Sequence, residues 1–216
     1  MTERLACIFA EIPPCETFSD IACDHGYIAR AMLENGKCKR AYVSDISGKS
    51  LIKAENLLSD FIAQNKARSF VSDGFDGVPA ADCALIAGIG GTLIADILKR
   101  AAKSGKLPET LVLQPMKHCD GVRRLAVKLG YAVKKDFTFK AEGQFYDIIV
   151  LEKGKDALTD EEAEFGRTNI ALLPQAFREK IAAEIAKTVS YTKSKTMNPV
   201  TREKMLAKAE RLKKYV

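Results

Sequence analysis

The stretch Asp20-Ile-Ala-Cys-Asp-His-Gly26 carries the densest chemistry in this sequence. It overlaps a short apolar run and opens onto a helical pattern, where a dinucleotide-binding turn would place GxGxxG so that backbone amides can approach a pyrophosphate. Here Ala22 and Asp24 stand at the first two glycine positions. A carboxylate at that turn repels a diphosphate and suits a ligand with a positive centre and no phosphate. S-adenosylmethionine, with a sulfonium and an ammonium group, is such a ligand. Asp24 alone has a plainer role as a helix cap. Two further acids extend the pattern: Asp45, with Ile46, ends a second apolar run, and Asp73-Gly74 follows a third. A carboxylate can accept both hydroxyls of a ribose at the first position and an adenine amino group at the second. Glycine beside the latter lets a base lie close to the backbone. Three acids at successive strand ends form a set, because open α/β sheets bind ligands along that edge.

Gly88-Ile-Gly-Gly91 ends a fourth run and Gln114-Pro115 a fifth. The glycines read either as a tight strand-to-helix turn or as bare backbone leaving room for a flat base. Gln114 can both donate to and accept from a nucleobase edge. Asp20, Ala22, Asp24, His25, Gly26, Asp45, Ile46, Asp73, Gly74 and Gly88 are thus the expected donor-binding residues; Gly90, Gly91, Gln114 and Pro115 are expected on the acceptor side. His25 is expected to shape the first loop and His118 to lie in a surface loop, since neither has a nucleophile and orienting partner. Cys7, Cys15, Cys23, Cys38, Cys83 and Cys119 include no CxxC pair, so reduced thiols and no metal site are expected.

These positions require an alternating scaffold. Strands are expected at Phe18–Cys23, Arg40–Asp45, Ala67–Val71, Cys83–Ala87 and Thr110–Gln114. Helices are expected at Tyr27–Glu34, from Ser47 to about Gln64, Gly91–Lys103 and Asp120–Leu129. Such alternation gives a parallel sheet with right-handed crossovers. Tyr131–Lys140 and Gln144–Glu152, joined by Ala-Glu-Gly, are too close for a crossover and predict an antiparallel hairpin. Five alternating units ending in a hairpin outline an α/β, Rossmann-like class I methyltransferase with a seven-stranded sheet. After Gly154 the pattern is helical. Thr159 opens a capping box, Pro174 interrupts the pattern, Gln175–Lys195 resumes it, and Asn198-Pro199 starts a last helix. The expected division is 1–154 for the donor-binding domain and 155–216 for a coiled-coil-like extension.

Asp20-Ile-Ala-Cys-Asp-His-Gly-Tyr, Ala-Gly-Ile-Gly-Gly-Thr-Leu-Ile at 87–94, Leu-Gln-Pro at 113–115 and Gln-Phe-Tyr-Asp-Ile at 144–148 together resemble the bacterial TrmK family. The resemblance spans about residues 4–154. Ala22, Ile89 and Met116 stand where that family usually has Gly, Met and Asn. It implies S-adenosylmethionine as cofactor, tRNA as partner, and methylation of N1 of adenine 22 in the D arm. The absence of an Asn/Asp-Pro-Pro-aromatic motif fits a ring nitrogen rather than an exocyclic amine as acceptor. Adenine N1 has a free lone pair, so alignment matters more than a base. Asp24 is the expected catalytic residue, offsetting the charge of the cationic product.

The chain has 34 Lys+Arg against 28 Asp+Glu, a net +6 over 216 residues. Residues 155–216 hold 13 basic and 9 acidic groups, so +4 of the excess lies in the extension. Lys193, Lys195, Arg202, Lys204, Lys208 and Lys213, with Arg123, Arg124, Lys134 and Lys135 on the main domain, are the expected phosphate contacts. A hydrophobic share of 47% without an apolar run of about 18 residues predicts a soluble, cytoplasmic protein. The N-terminus, with Glu3, Arg4 and Glu11, does not read as a signal peptide. Methyl transfer to another RNA or a small molecule, and RNA binding without catalysis, remain open alternatives at this point.

Overall fold

The computed structural model describes residues 1–194 and 196–216. Seven strands, β1 (Thr17–Ile21), β2 (Arg40–Asp45), β3 (Ala67–Val71), β4 (Cys83–Ile89), β5 (Thr110–Pro115), β6 (Tyr131–Ala141) and β7 (Gln144–Lys153), form one sheet in the order β3-β2-β1-β4-β5-β7-β6. The β1–β5 pairings are parallel, and β7 runs antiparallel to both β5 and β6. The chain order reverses between β1 and β4, so their C-terminal ends border the crevice where such sheets hold ligands.

Helices α2 (Tyr27–Glu34), α3 (Gly48–Leu57), α4 (Ser59–Ala63), α5 (Gly91–Lys103) and α6 (Cys119–Lys128) follow their strands. Two apolar layers result. Ile8, Phe18, Met32, Leu51 and Leu58 fill one side of the sheet; Ile86, Ile94, Leu98, Leu113, Val122 and Leu151 fill the other. The expected alternation is present, with local corrections. The first strand stops at Ile21 because Ala22 takes φ +59°, a left-handed conformation that costs a residue with a Cβ roughly 1–2 kcal/mol. The helix expected over Ser47–Gln64 is broken at Leu58 into α3 and α4. The hairpin link is two residues, Glu142 and Gly143, with φ +46° and +73°, as a tight primed turn demands.

An N-terminal helix, α1 (Glu3–Glu11), was not legible in the pattern; Thr2 caps it and Ile8 and Ile12 bury its inner face. At the other end come α7 (Asp160–Phe165), α8 (Arg167–Leu172), α9 (Gln175–Thr192), α10 (Pro199–Leu212) and a 3-10 turn at Lys213–Tyr215. The capping box at Thr159 and Glu162 is formed. The third helix ends at Thr192 rather than Lys195, and Lys195 lies outside the described residues. Phe165, Phe177, Ile181, Leu212 and Tyr215 make a small core of their own.

The expected boundary at residue 154 crosses a dense set of contacts. The Arg123 side chain is 1% exposed, donates from Nε to Asp136 Oδ2 (2.8 Å), and donates from Nη1 to the carbonyls of Ala163 (3.2 Å) and Glu164 (3.4 Å). Asp136 also accepts from the backbone amides of Arg167 (3.2 Å) and Thr168 (2.9 Å). Asn169 Oδ1 accepts from the Thr138 amide at 2.8 Å, and Lys180 pairs with Asp147. Arg123 is therefore no phosphate contact: it is the buried joint between sheet and C-terminal helices.

Candidate active site

A cleft of 530 Å³ opens at the C-terminal ends of β1, β2 and β4. It is lined by Asp20, Ala22, Asp24, His25, Gly26 and Asp45, with Gly88 on the far side. Seven of the expected donor-binding residues thus share one cavity. The loop after β1 is shaped by its own side chains. Cys23 Sγ accepts from the Gly26 amide at 3.1 Å, and the Cys23 amide donates to the Ser44 carbonyl at 2.8 Å. Gly26 holds φ +75° while packing against Ala54, where a Cβ would come within 3.2 Å. His25 stacks on Tyr27, with ring centres 5.4 Å apart. His25 therefore packs within the loop, and Cys23 bonds inside it in a way that spacing did not show.

The three carboxylates differ in environment. Asp20 lies at the cleft floor, 7% exposed, and burial pushes its carboxyl up to about 7 against the lowering influence of Cys23 and the Ala29 backbone. Asp24 stands at the mouth with its side chain 55% exposed, paired with His25 Nδ1 at 2.8 Å and Lys53 Nζ at 3.3 Å. Asp45, half-buried at the end of β2, accepts from the Ser47 amide at 2.7 Å through Oδ1.

Other expected residues lie elsewhere or serve another purpose. Asp73 is outside the cleft lining and accepts from Arg100 Nη2 at 2.6 Å. Gly74 is required by packing, since a Cβ there would stand 2.8 Å from Ile97 Cγ2. Ile46 is a solvent-facing apolar side chain beside Asp45. Gly91 leaves no room for a base: a Cβ would meet the Lys117 carbonyl at 2.4 Å, because the start of α5 is closed against the loop after β5. Gly90, by contrast, faces open space. Gln114 and Pro115 are buried rather than on a rim; Gln114 Oε1 accepts from Arg4 Nη1 at 2.8 Å and its Nε2 faces the Pro115 carbonyl at 3.4 Å. Arg124, Lys134 and Lys135 are ion-paired with Asp160, Glu152 and Glu11, and Lys208 and Lys213 with Glu184 and Glu210.

Arg4 is the site residue that sequence reasoning missed. It enters the cleft from α1, bonds Gln114, and lies over the Tyr146 ring at 5.6 Å. Only the apolar spacing Leu5, Ile8 and Ile12 could have flagged the helix that carries it.

A parallel sheet ending in an antiparallel hairpin, with an acidic cleft and no glycine-rich phosphate cradle at its switch point, defines a class I methyltransferase scaffold. Residues 1–149 match the family described as a methyltransferase domain. The chain is 30% identical over 158 residues to a Mycoplasma pneumoniae protein to which tRNA methyltransferase activity has been ascribed, covering 70% of this chain and 71% of that one. It is 28% identical over 163 residues to the tRNA (adenine(22)-N(1))-methyltransferase of Bacillus subtilis, covering 74% and 68%. In fold it matches the structure of M. capricolum TrmK in complex with S-adenosyl-homocysteine, at TM-score 0.87 and 22% identity over 100% of this chain and 97% of that one. The chain belongs to the methyltransferase-domain family and, within it, to the TrmK family.

Proposed function

We infer that this protein transfers a methyl group from S-adenosylmethionine to N1 of adenine 22 in the D arm of tRNA. The observation that carries the reading is the acidic cleft at the ends of β1, β2 and β4. Its residues fit this donor: three carboxylates suit a ligand with two positive centres, and nothing there cradles a diphosphate. S-adenosylmethionine, when bound, supplies a methyl group on a cationic sulfur. Asp45 takes the ribose hydroxyls, and Asp20 and Asp24 face the positive charge. Adenine N1 brings its own lone pair, so no side chain has to remove a proton, and the chain's task is alignment. Asp24 offsets the positive charge left on the methylated base, to the extent that Lys53 and His25 leave its carboxylate available.

N1 lies on the Watson–Crick edge, so the base must leave its stack to reach the cleft. Among the described residues of the extension, Lys193, Arg202 and Lys204 have no carboxylate within ion-pairing distance, and all three lie where α9 hands over to α10. This end of the helical hairpin holds the tRNA backbone. Replacing all three with alanine is expected to weaken tRNA binding about tenfold or more and make its salt dependence shallower by roughly two to three charges. S-adenosylmethionine affinity should not change. Unaltered tRNA affinity would remove the tip from the interface. Among the described residues no helix is long and apolar enough to cross a membrane. A tRNA substrate supports a cytoplasmic activity.

The activity itself is tested by incubating unmodified tRNA with the protein and labelled donor and mapping N1-methyladenine. One methyl group at position 22, and none in a tRNA with another base there, is the expected result. A methyl group elsewhere, or none, overturns the reading.

A further inference from the structure

We propose that the open face of β2 and β3 is a second tRNA-binding surface, on which Arg40, Lys66 and Arg68 take backbone phosphates at the end of the sheet away from the cleft. The inference rests on tRNA being the substrate and adds a contact that neither the cleft nor the helical hairpin supplies. Parallel pairing builds the surface. Ala41 lies beside Ala67 and Tyr42 beside Arg68 in register. Side chains alternate between faces along a strand, and paired residues share a face. Ala41, Val43 and Ala67 point into the apolar layer under α3 and α4. Arg40 and Tyr42 on β2, with Lys66 just before β3 and Arg68 on it, therefore point the other way. On that side α5 and α6 pack against β4, β6 and β7, and the segment between β3 and β4 holds no helix to cover β2 and β3. A cavity of 300 Å³ is left there, lined by Arg40, Tyr42, Asn65, Lys66, Ala67 and Arg68.

The charge of this face is one-sided. No carboxylate lines the cavity, and among the described residues none lies within ion-pairing distance of Arg40, Lys66 or Arg68, all three of which are exposed. Asp82, which the Arg40 charge reaches, is engaged by the Thr17 amide and hydroxyl, both at 2.8 Å. Arg68 is braced: its guanidinium lies over the Phe70 ring at 5.2 Å, and Phe70 meets Tyr42 edge-on with ring centres 6.0 Å apart. Lys66 and Arg68 are about 6–7 Å apart along their strand, and Arg40 lies about 5 Å away on the next. Such a set of cations without an internal counter-ion attracts a polyanion, and each phosphate it neutralises releases condensed counter-ions. Asp45, at the cleft, lies five residues along β2 from Arg40, about 17 Å. The face therefore positions the tRNA without touching the reacting atoms.

The test is tRNA binding over a range of salt concentrations for the unaltered protein, for Arg40→Ala/Lys66→Ala/Arg68→Ala, and for a control, Lys103→Ala/Lys128→Ala/Lys155→Ala. The control removes three exposed lysines at the ends of α5 and α6 and after β7, so the net charge lost is the same. The face variant is expected to bind tRNA about tenfold or more weakly, with a salt dependence shallower by roughly two to three charges, and the control to lose about threefold or less. S-adenosylmethionine affinity should be unchanged in both, which also shows that they are folded. ATP is titrated as a free nucleotide, and its binding should not depend on the three residues. If the face variant binds tRNA as the unaltered protein does, or the control loses as much, the assignment is wrong while the tRNA reading stands. If the face variant loses ATP binding and keeps tRNA binding, the face serves a free nucleotide and the proposal falls. If the unaltered protein binds no tRNA, the substrate reading falls and the proposal with it.

Discussion

Arg123→Ala is expected to destabilise the protein by about 3–5 kcal/mol, the cost of leaving one partner of a buried ion pair alone. Asp136 is wholly buried, and without the guanidinium its charge would face only the backbone amides of Arg167 and Thr168. The loss should not be spread evenly. Arg123 also satisfies the carbonyls of Ala163 and Glu164, so α7 and α8 should come away from the sheet first. Hydrogen exchange should show deprotection over 160–172 that exceeds any change in β1 or β4. A companion change, Gly166→Ala, attacks the same joint from the other side. Gly166 has φ +92°, and a Cβ there would stand 2.8 Å from Asp136 Oδ2 and 3.0 Å from Arg123 Nη2. An Arg123→Ala protein that melts within a degree or two of the parent would show that the joint contributes little. The same contacts explain why substitutions at the hairpin tip, and not removal of everything after residue 154, are the clean test of tRNA binding.

S-adenosylmethionine binding is expected to weaken as pH falls through about 7, approaching tenfold per unit below it. The source is Asp20, whose burial raises its carboxyl to about 7, so that it is neutral in the empty cleft at pH 6 and charged at pH 8. A cationic ligand prefers the charged form, so binding below pH 7 should release a proton, measurable as a buffer-dependent heat. For the empty protein the sign is opposite. A carboxyl held above its unfolded value contributes stability that is fully present below pH 4 or so and is lost as pH rises through about 7. Asp20→Asn should bind the donor weakly at every pH and flatten the profile. His25→Gln should leave the profile in place, which separates Asp20 from the imidazole beside Asp24. A flat profile in the unaltered protein would refute this account of Asp20.

Much of the candidate site was legible because it is local. Asp20, Asp24, Gly26 and Asp45 lie within 26 residues of one another, at turns whose position follows from the periodicity around them. Glycines were read less well. Gly74 and Gly91 signal close approach, but the approaching groups are Ile97 and the Lys117 carbonyl rather than a base. Sequence shows that a position wants no Cβ; it does not show what lies against it.

The limits follow the distance along the chain. The succession of strands and helices along the chain, the closing hairpin, the acids at successive strand ends and the basic bias of the last 62 residues are all set by neighbouring residues, and each was available from the sequence alone; the order of the strands in the sheet was not. Arg4 meets Gln114 across 110 positions, and Arg123 meets the carbonyls of α7 across about 40. An arginine carries the same charge and length whether it faces solvent, a cleft or a buried aspartate. Which of these it faces depends on how α1 and α6 pack against the sheet. Long-range packing therefore decided that Arg123 is a joint and Arg4 a site residue, because it alone determines which charges are removed from water and which remain free for a ligand.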